Sequence, residues 1–436
     1  MAETAQACLE TSIFFREPFY SFSLLFLFVI SKVEPINTSS KTRGLVIREL
    51  FYITHVKNIK SILEKGILCH NRVEELGIQS EKIYNKAVVA RREAITVPSD
   101  GRSLWSFANL YFQARNPMLF TVIRNKPINE IAVVGVDKNI LNRDDIFLST
   151  GNAANSQTEI VPASQKGKIL PVIMKQVDRV YWNEVDGSKR KIMAECLVPE
   201  FVPPQYIRSV YFGDYKAKYE VQESLGNPTN VSFMYVPGMF FQPTRSREIT
   251  PLLSIVDGDM FFSRAQTLTV SVNIVGIMGK GVASRAKYQF PDVYVRYQDL
   301  CRKDQLRMGK PVLYKREASF DHEMADEPST LTNANSETWF LLFPTKKHWS
   351  DKSNVNDIEA GLKWIVQNYQ KEGIKSLALP ALGCGLGGLE WADVGPILVQ
   401  YLSTIDIPVC IYLPAEKQIP DKLISPEFLL RKQAHL

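Results

Sequence analysis

The stretch LPALGCGLGGLEW, Leu379–Trp391, decides the fold of the second half of this chain. A short apolar run that reads as a strand breaks into a loop holding Gly383, Gly385, Gly387 and Gly388. Upstream, VNIVGIMGKGVA (272–283) repeats the pattern, with Gly276, Gly279 and Gly281 after a strand and ahead of a helix expected to begin near Val282. Glycine lets the main chain approach a ligand closely, and a loop entering a helix aims amide N–H groups at a pyrophosphate. One such loop is also an ordinary turn. Two at the C-terminal ends of strands in one α/β sheet form the crevice where nucleotides bind.

Working outward, LLSIV and TLTVSV, then Trp339–Phe343, Ser376–Leu379 and Val409–Leu413, read as strands. Between two of them, Ile358, Leu362, Ile365, Val366 and Tyr369 recur at helical spacing. The alternation predicts an α/β three-layer domain over residues 246–436. It opens after the polar joint QPTRSR (242–247), the polar segment Glu317–Glu337 reads as a long surface loop within it, and the tail after Pro414 is too short for another domain. Residues 44–245 read as an α+β domain: ELFYIT is a strand, and His55–Lys65 is a helix with Val56, Ile59, Ile62 and Leu63 on one face and Gly66 as its stop. Further strands are expected at Ile131–Val134 and Ser209–Phe212.

At 436 residues, with 45% hydrophobic and 22% charged, the chain can bury a full core in each half. A net charge of +6 fits a polyanionic partner without requiring one. Six cysteines form no CxxC pair and five histidines no metal-ligand spacing, so metal-dependent chemistry and a disulfide framework are not expected and a reducing, cytoplasmic setting is. The apolar run Phe19–Ile30 is too short to span a membrane, and its flanks lack an export pattern. Residues 1–43 are therefore expected to be a loosely packed or disordered extension, with no stable membrane association.

The third cluster of the second half is FPTKKHW, whose Lys346 and Lys347 are either solvated phosphate contacts or include a nucleophile. IVDGDMF, VNIVGIMGKGVA, FPTKKHWSDKS, DIEAGL and ALGCGLGGLEW together resemble the DarG branch of macrodomains, from about Leu253 to Pro414. The resemblance implies ADP-ribose binding through Asp259 and Met260 near the adenine, Asn273 by the distal ribose, and phosphate contacts from Gly279, Lys280, Gly281, Val282, Gly383, Cys384, Gly385, Leu386 and Gly387. It also implies that Lys346 attacks C1 of the ribose, as an amine with a lowered pKa near the positive ends of the glycine loops. The glycohydrolase relatives carry an aspartate in the second loop where this chain has Gly387.

In the first half the strongest local features are FYITHVKN, VARREAITVP, NLYFQARNPMLF, STGNAA and KIMAECLV. A basic residue, an aromatic group and a glutamate beside a strand are the parts needed to split a glycosidic bond through an oxocarbenium-like state. In order and wording these segments resemble the DarT family of DNA ADP-ribosyltransferases, from about Glu49 to Phe212. The resemblance implies the ADP-ribosyltransferase fold with NAD as co-substrate, Glu195 as the catalytic glutamate, and Arg92, with Arg91 as the one-residue alternative, positioning the reactants. It places Tyr52, Thr54, His55, Tyr111 and Asn152 beside NAD. Many members have histidine where this chain has Tyr52, and His55 equally suits a helix cap. In the stretch 181–191, Trp182 is expected to stack a base of single-stranded DNA, with Lys189 and Arg190 on phosphates; a solvated basic turn is the alternative.

The two resemblances imply a toxin and antitoxin pair in one chain. One half ADP-ribosylates a DNA base, thymidine preferred over guanosine, and the other removes the modification at high effective concentration. A reader module with an inactive transferase, and a transferase acting on RNA or protein, are the rival readings.

Overall fold

The computed structural model describes residues 47–431 apart from 85, 227 and 229, and no side chains at 86–88. The expectation for residues 1–43 lies outside the described residues.

Strand-forming segments of the first half gather into one sheet in the order Ser232–Tyr235, Ile207–Phe212, Ile131–Asp137, Glu49–His55, Phe107–Tyr111, Glu195–Pro199, Phe147–Ser149 and Ile160–Pro162. Neighbours run antiparallel except the first pair. Ile131–Asp137 is the apolar run IAVVGVD, buried over its first six residues, and so it lies in the middle. The helix Ile59–Lys65 buries Ile59 and Ile62 and stops at Gly66, whose φ of +87° favours glycine. A three-residue turn of tighter helix, Val56–Asn58, precedes it.

The second sheet runs Arg245–Thr250, Leu253–Asp257, Val409–Tyr412, Leu377–Pro380, Thr267–Asn273, Trp339–Lys346 and Val312–Tyr314. Its five inner strands are parallel and its edges antiparallel. A parallel sheet needs cover on both faces. Helices Val355–Glu372 and Trp391–Leu402 cover one face through Ile358, Leu362, Ile365, Val394 and Leu398. Gly281–Gln289 and Pro291–Arg302 cover the other through Ala286, Val293, Tyr297 and Leu300. This is the three-layer arrangement that the strand and helix spacing predicts.

Two features depart from the sequence reading. Segment 317–337 is no simple surface loop: it forms a short helix, Phe320–Met324, buries Phe320, Asp321, Met324 and Ala325, and packs against the first half. One apolar cluster accordingly runs from Phe120, Ile123 and Trp182 through Phe241 and Phe262 to Phe290 and Phe340, joining the cores of both halves. A buried ion pair crosses the same junction, with Arg124 Nε 3.0 Å from Asp321 Oδ1.

Candidate functional sites

In the first half, Glu195 begins the strand Glu195–Pro199 and is fully buried. Its main-chain N–H donates to the Ser149 hydroxyl at 2.9 Å, and that hydroxyl donates to the Gly151 carbonyl at 2.6 Å. The turn that follows delivers the Ala153 N–H to Glu195 Oε1 at 2.8 Å. Arg92, on the helix Lys86–Glu93, donates to the same carboxylate from both outer nitrogens, at 2.8 and 3.3 Å. Burial pulls the Arg92 guanidinium down, but Glu195 outweighs it and holds the group above its ordinary value. Tyr111 lies across the strand pair from Glu195, and burial, reinforced by the Glu195 charge, pushes its hydroxyl well above the ordinary value. The site therefore offers a fixed carboxylate able to accept hydrogen bonds, next to a fixed cation. Ser149 escaped the sequence reading, although STGNAA carried it.

The remaining residues expected beside NAD divide. Asn152 joins the cluster: its side-chain N–H lies 3.3 Å from Asp326 Oδ1 of the second half, and its main-chain N–H bonds the Arg190 carbonyl. Arg91 points away from Glu195 and pairs with Glu327. Tyr52 is half-buried, its hydroxyl pKa raised by burial. Thr54 and His55 are committed to the helix after them, Thr54 accepting from Asn58 and His55 Nδ1 from the Lys57 N–H at 3.1 Å. His55 thus serves as the cap, the second of its two sequence readings.

The expectation for 181–191 needs correction. Trp182 is fully buried, packs its ring near Phe241 and Phe262, and donates its indole N–H to the Met324 carbonyl at 2.9 Å, so its faces are closed to a nucleobase. Lys189 pairs with Glu184 at 3.4 Å, and Arg190 donates to the Thr158 hydroxyl at 3.2 Å while packing on Gly151. Arg190 supports the turn that holds Asn152 and Ala153, rather than projecting as a free phosphate contact.

In the second half, Asn273 and Lys346 pair in register on adjacent parallel strands, at a local bulge. Lys346 Nζ donates to the Leu386 carbonyl of the second glycine loop at 2.6 Å. The two loops meet: a Cβ placed on Gly281 would lie 3.3 Å from a methyl carbon of Leu386. The loops 274–281 and 383–388 thus lie side by side, with the Lys346 amine held against the second. Gly281 and Gly383 have φ of +61° and +77°. The helix Gly281–Gln289 starts at the first loop after the extended, exposed Lys280, with Val282 half-buried and Gly279 open. At Gly387 a Cβ would meet the Gly383 carbonyl oxygen at 2.3 Å and the Ser353 hydroxyl at 2.5 Å, so the loop as it stands has no room for a side chain there.

Three of the expected ligand contacts have structural employment. The Asn273 side chain clamps the first loop, accepting from the Val275 N–H at 3.0 Å and the Tyr297 hydroxyl at 2.7 Å, and donating to the Ile277 carbonyl at 2.6 Å. Asp259 caps Phe261 and pairs with Arg285 at 2.5 Å and with Arg115 of the first half at 3.8 Å. Cys384 is buried, and burial pushes its thiol up to about 12, so it packs and does not react. Met260 is also buried, beside Phe261 and Phe262. Gly385 lies against Glu416. Among the described residues no group of three or more His, Cys, Asp or Glu could hold a metal ion, and no helix is long and apolar enough to cross a membrane.

A buried Arg–Glu pair beside a mostly antiparallel sheet and a double glycine loop on an α/β sheet define two protein classes. The family model for DarT, the ssDNA thymidine ADP-ribosyltransferase, matches residues 51–241, and that for the Macro domain matches 332–398. A DNA ADP-ribosyl transferase–DNA ADP-ribosyl glycohydrolase fusion protein of Thermosipho africanus is 54% identical over 385 residues, 88% of this chain and 98% of the relative. The structure of Thermosipho africanus DarTG in complex with ADP-ribose aligns with a TM-score of 0.83 at 53% identity, covering 88% of this chain and all of that one. A Thermus aquaticus DNA ADP-ribosyl glycohydrolase is 35% identical over 166 residues, 38% of this chain and 42% of the relative. The chain belongs to the family of fused DarT and DarG enzymes, a DNA ADP-ribosyltransferase joined to a DNA ADP-ribosyl glycohydrolase.

Proposed function

We propose that residues 44–245 transfer ADP-ribose from NAD to thymidine in single-stranded DNA, and that residues 246–436 hydrolyse it off again, as a toxin and its antidote in the cytoplasm. In the transfer, the bond from C1 of the nicotinamide ribose to nitrogen breaks and nicotinamide leaves with the bonding pair. A ring nitrogen of the base bonds to the same carbon and gives up its proton. Glu195 holds the ribose 2-hydroxyl and receives that proton; Arg92 fixes the carboxylate and adds positive charge beside the phosphates. In the reversal, the Lys346 amine attacks C1 of the ribose, the base departs with the bonding pair and takes a proton, and water then releases ADP-ribose from the lysine. Gly279, Gly281, Gly383 and Gly385 offer main-chain amides to the pyrophosphate.

The observation that carries this reading is the Glu195 carboxylate held by Arg92 and the Ala153 amide at the end of a strand. The test is nucleoside mass spectrometry after the Lys346→Ala chain meets NAD together with single-stranded DNA, RNA or cell protein. ADP-ribosyl thymidine should accumulate. Labelling of RNA or protein alone, or of nothing, overturns it.

A further inference from the structure

Asp326 and Glu327 belong by sequence to the macrodomain half and by position to the transferase site. Glu327 pairs with Arg91, next in the chain to the Arg92 that holds Glu195. Asp326 accepts from Asn152, one residue before the alanine whose amide caps the same carboxylate. The main chain beneath them is fixed to the transferase. The Asp326 N–H donates to the Thr121 hydroxyl at 2.9 Å, the Met324 carbonyl accepts from the buried Trp182 indole, and the Thr332 N–H donates to Asn125 Oδ1 at 3.0 Å. Met324 and Ala325 are buried in the junction.

We propose that segment 320–332 of the macrodomain is an acidic strap across the acceptor side of the transferase site, and that single-stranded DNA must displace its Asp326 and Glu327 side chains to react. The proposal rests on the reading of Glu195 and Arg92 as that site. Three observations point to restraint by the strap and to the DNA side. The strap packs on Trp182, in the segment that leads into Glu195, and on Asn152, next to the Ala153 amide that caps the Glu195 carboxylate. Its Glu327 carboxylate occupies Arg91, a cation to which a phosphate chain would bind, so strap and polyanion compete for it. Asp326 is moreover poorly housed: burial, reinforced by the charges of Glu327 and Glu195, pushes its carboxyl up to about 6.

The Arg91–Glu327 pair is partly exposed, 60% and 28% on its two side chains, so it is a weak hold that a polyanion overcomes by mass action. Its loss should change apparent DNA affinity by about two- to fivefold. The test uses the full chain carrying Lys346→Ala, so that product persists, with and without Glu327→Gln or Asp326→Asn. Initial rates are measured against a thymidine-containing single-stranded oligonucleotide at saturating NAD, then against NAD at saturating oligonucleotide. The expected result is about a two- to fivefold lower KM for the oligonucleotide in both variants, with the KM for NAD unchanged. An unchanged oligonucleotide KM in a chain with parental Tm overturns the strap, and a lower kcat shows instead that the carboxylates serve the reaction. Fluorescence anisotropy of the oligonucleotide on Glu195→Gln chains, with and without Glu327→Gln, gives the same decision without turnover. If the parent itself labels no DNA, the reading of the site has failed and the strap falls with it; failure of the strap alone leaves the parent active.

Discussion

Arg92 and Glu195 form a two-pronged ion pair in which the carboxylate has no exposure and the guanidinium has a little, 17% on its side chain. Removing the cation strands a buried anion, which costs far more than the pair contributes. Arg92→Ala should therefore destabilise the chain by about 3 kcal/mol in urea unfolding. Adding Glu195→Gln should restore part of that loss while transferase activity stays at least about a hundredfold down. Additive losses in the double-mutant cycle would show that the two side chains act apart.

Lys346→Ala should separate binding from removal in the macrodomain half. The glycine loops hold the pyrophosphate through main-chain groups, so ADP-ribose affinity measured by calorimetry should stay within about threefold, while release from modified DNA should fall at least about a hundredfold. Equal loss of both would demote the lysine to a phosphate contact.

One glycine from each of the two loops should respond in opposite ways. Gly387→Ala drives a Cβ into a main-chain carbonyl 2.3 Å away, so it should lower stability by about 1–3 kcal/mol and shift the Tm downward. Around Gly279 a Cβ meets nothing within 4 Å, so Gly279→Ala should leave the Tm in place and weaken ADP-ribose binding only where the ligand needs that space.

Asp326 makes stability depend on pH with a definite sign. Its carboxyl is raised from 3.8 to about 6 in the fold, so between those values the folded chain keeps a proton that the unfolded chain has lost. Stability due to this group therefore falls as pH rises through that window and stays low above it, by about 1–3 kcal/mol. The Asp326→Asn chain lacks the effect, and its Tm advantage over the parent should grow from pH 4 to pH 7. A constant gap would show that the carboxyl titrates normally.

The ion pair across the junction should tie the two halves into one melting event. Asp321→Ala leaves Arg124 buried without its counter-charge, at a cost of about 3–5 kcal/mol. Tryptophan fluorescence and binding of ADP-ribose should then be lost at the same, lower temperature. Two separate transitions would show that the halves unfold independently.

What could be read from the chain was whatever lay close together in it. Both glycine loops and the strands before them follow from contiguous motifs, whereas Glu195 and Arg92 come only through the resemblance to DarT, because a separation of 103 residues hides the ion pair that joins them. Trp182, Lys189 and Arg190 misled because an aromatic among basic residues has the composition of a nucleic-acid contact, while the partner that buries Trp182 lies 142 residues on. Segment 317–337 hid for the same reason. Its polar residues lack periodicity, and what orders it is a set of contacts 174 to 236 residues distant, from Asn152, Thr121, Asn125 and Arg91. Asn273, expected by the distal ribose, is employed as a loop clamp, a task that depends on Tyr297, on a helix the motif does not reach.

The apolar cluster shared by both halves has a consequence for the cell that carries this gene. Where writer and eraser are separate proteins, a protease or a burst of heat can destroy the remedy and spare the poison. Here Phe120 and Trp182 lean on Phe262 and Phe320, so damage that melts the eraser takes the packing of the writer with it. Joining the pair through a common interior makes the failure of one the silencing of the other.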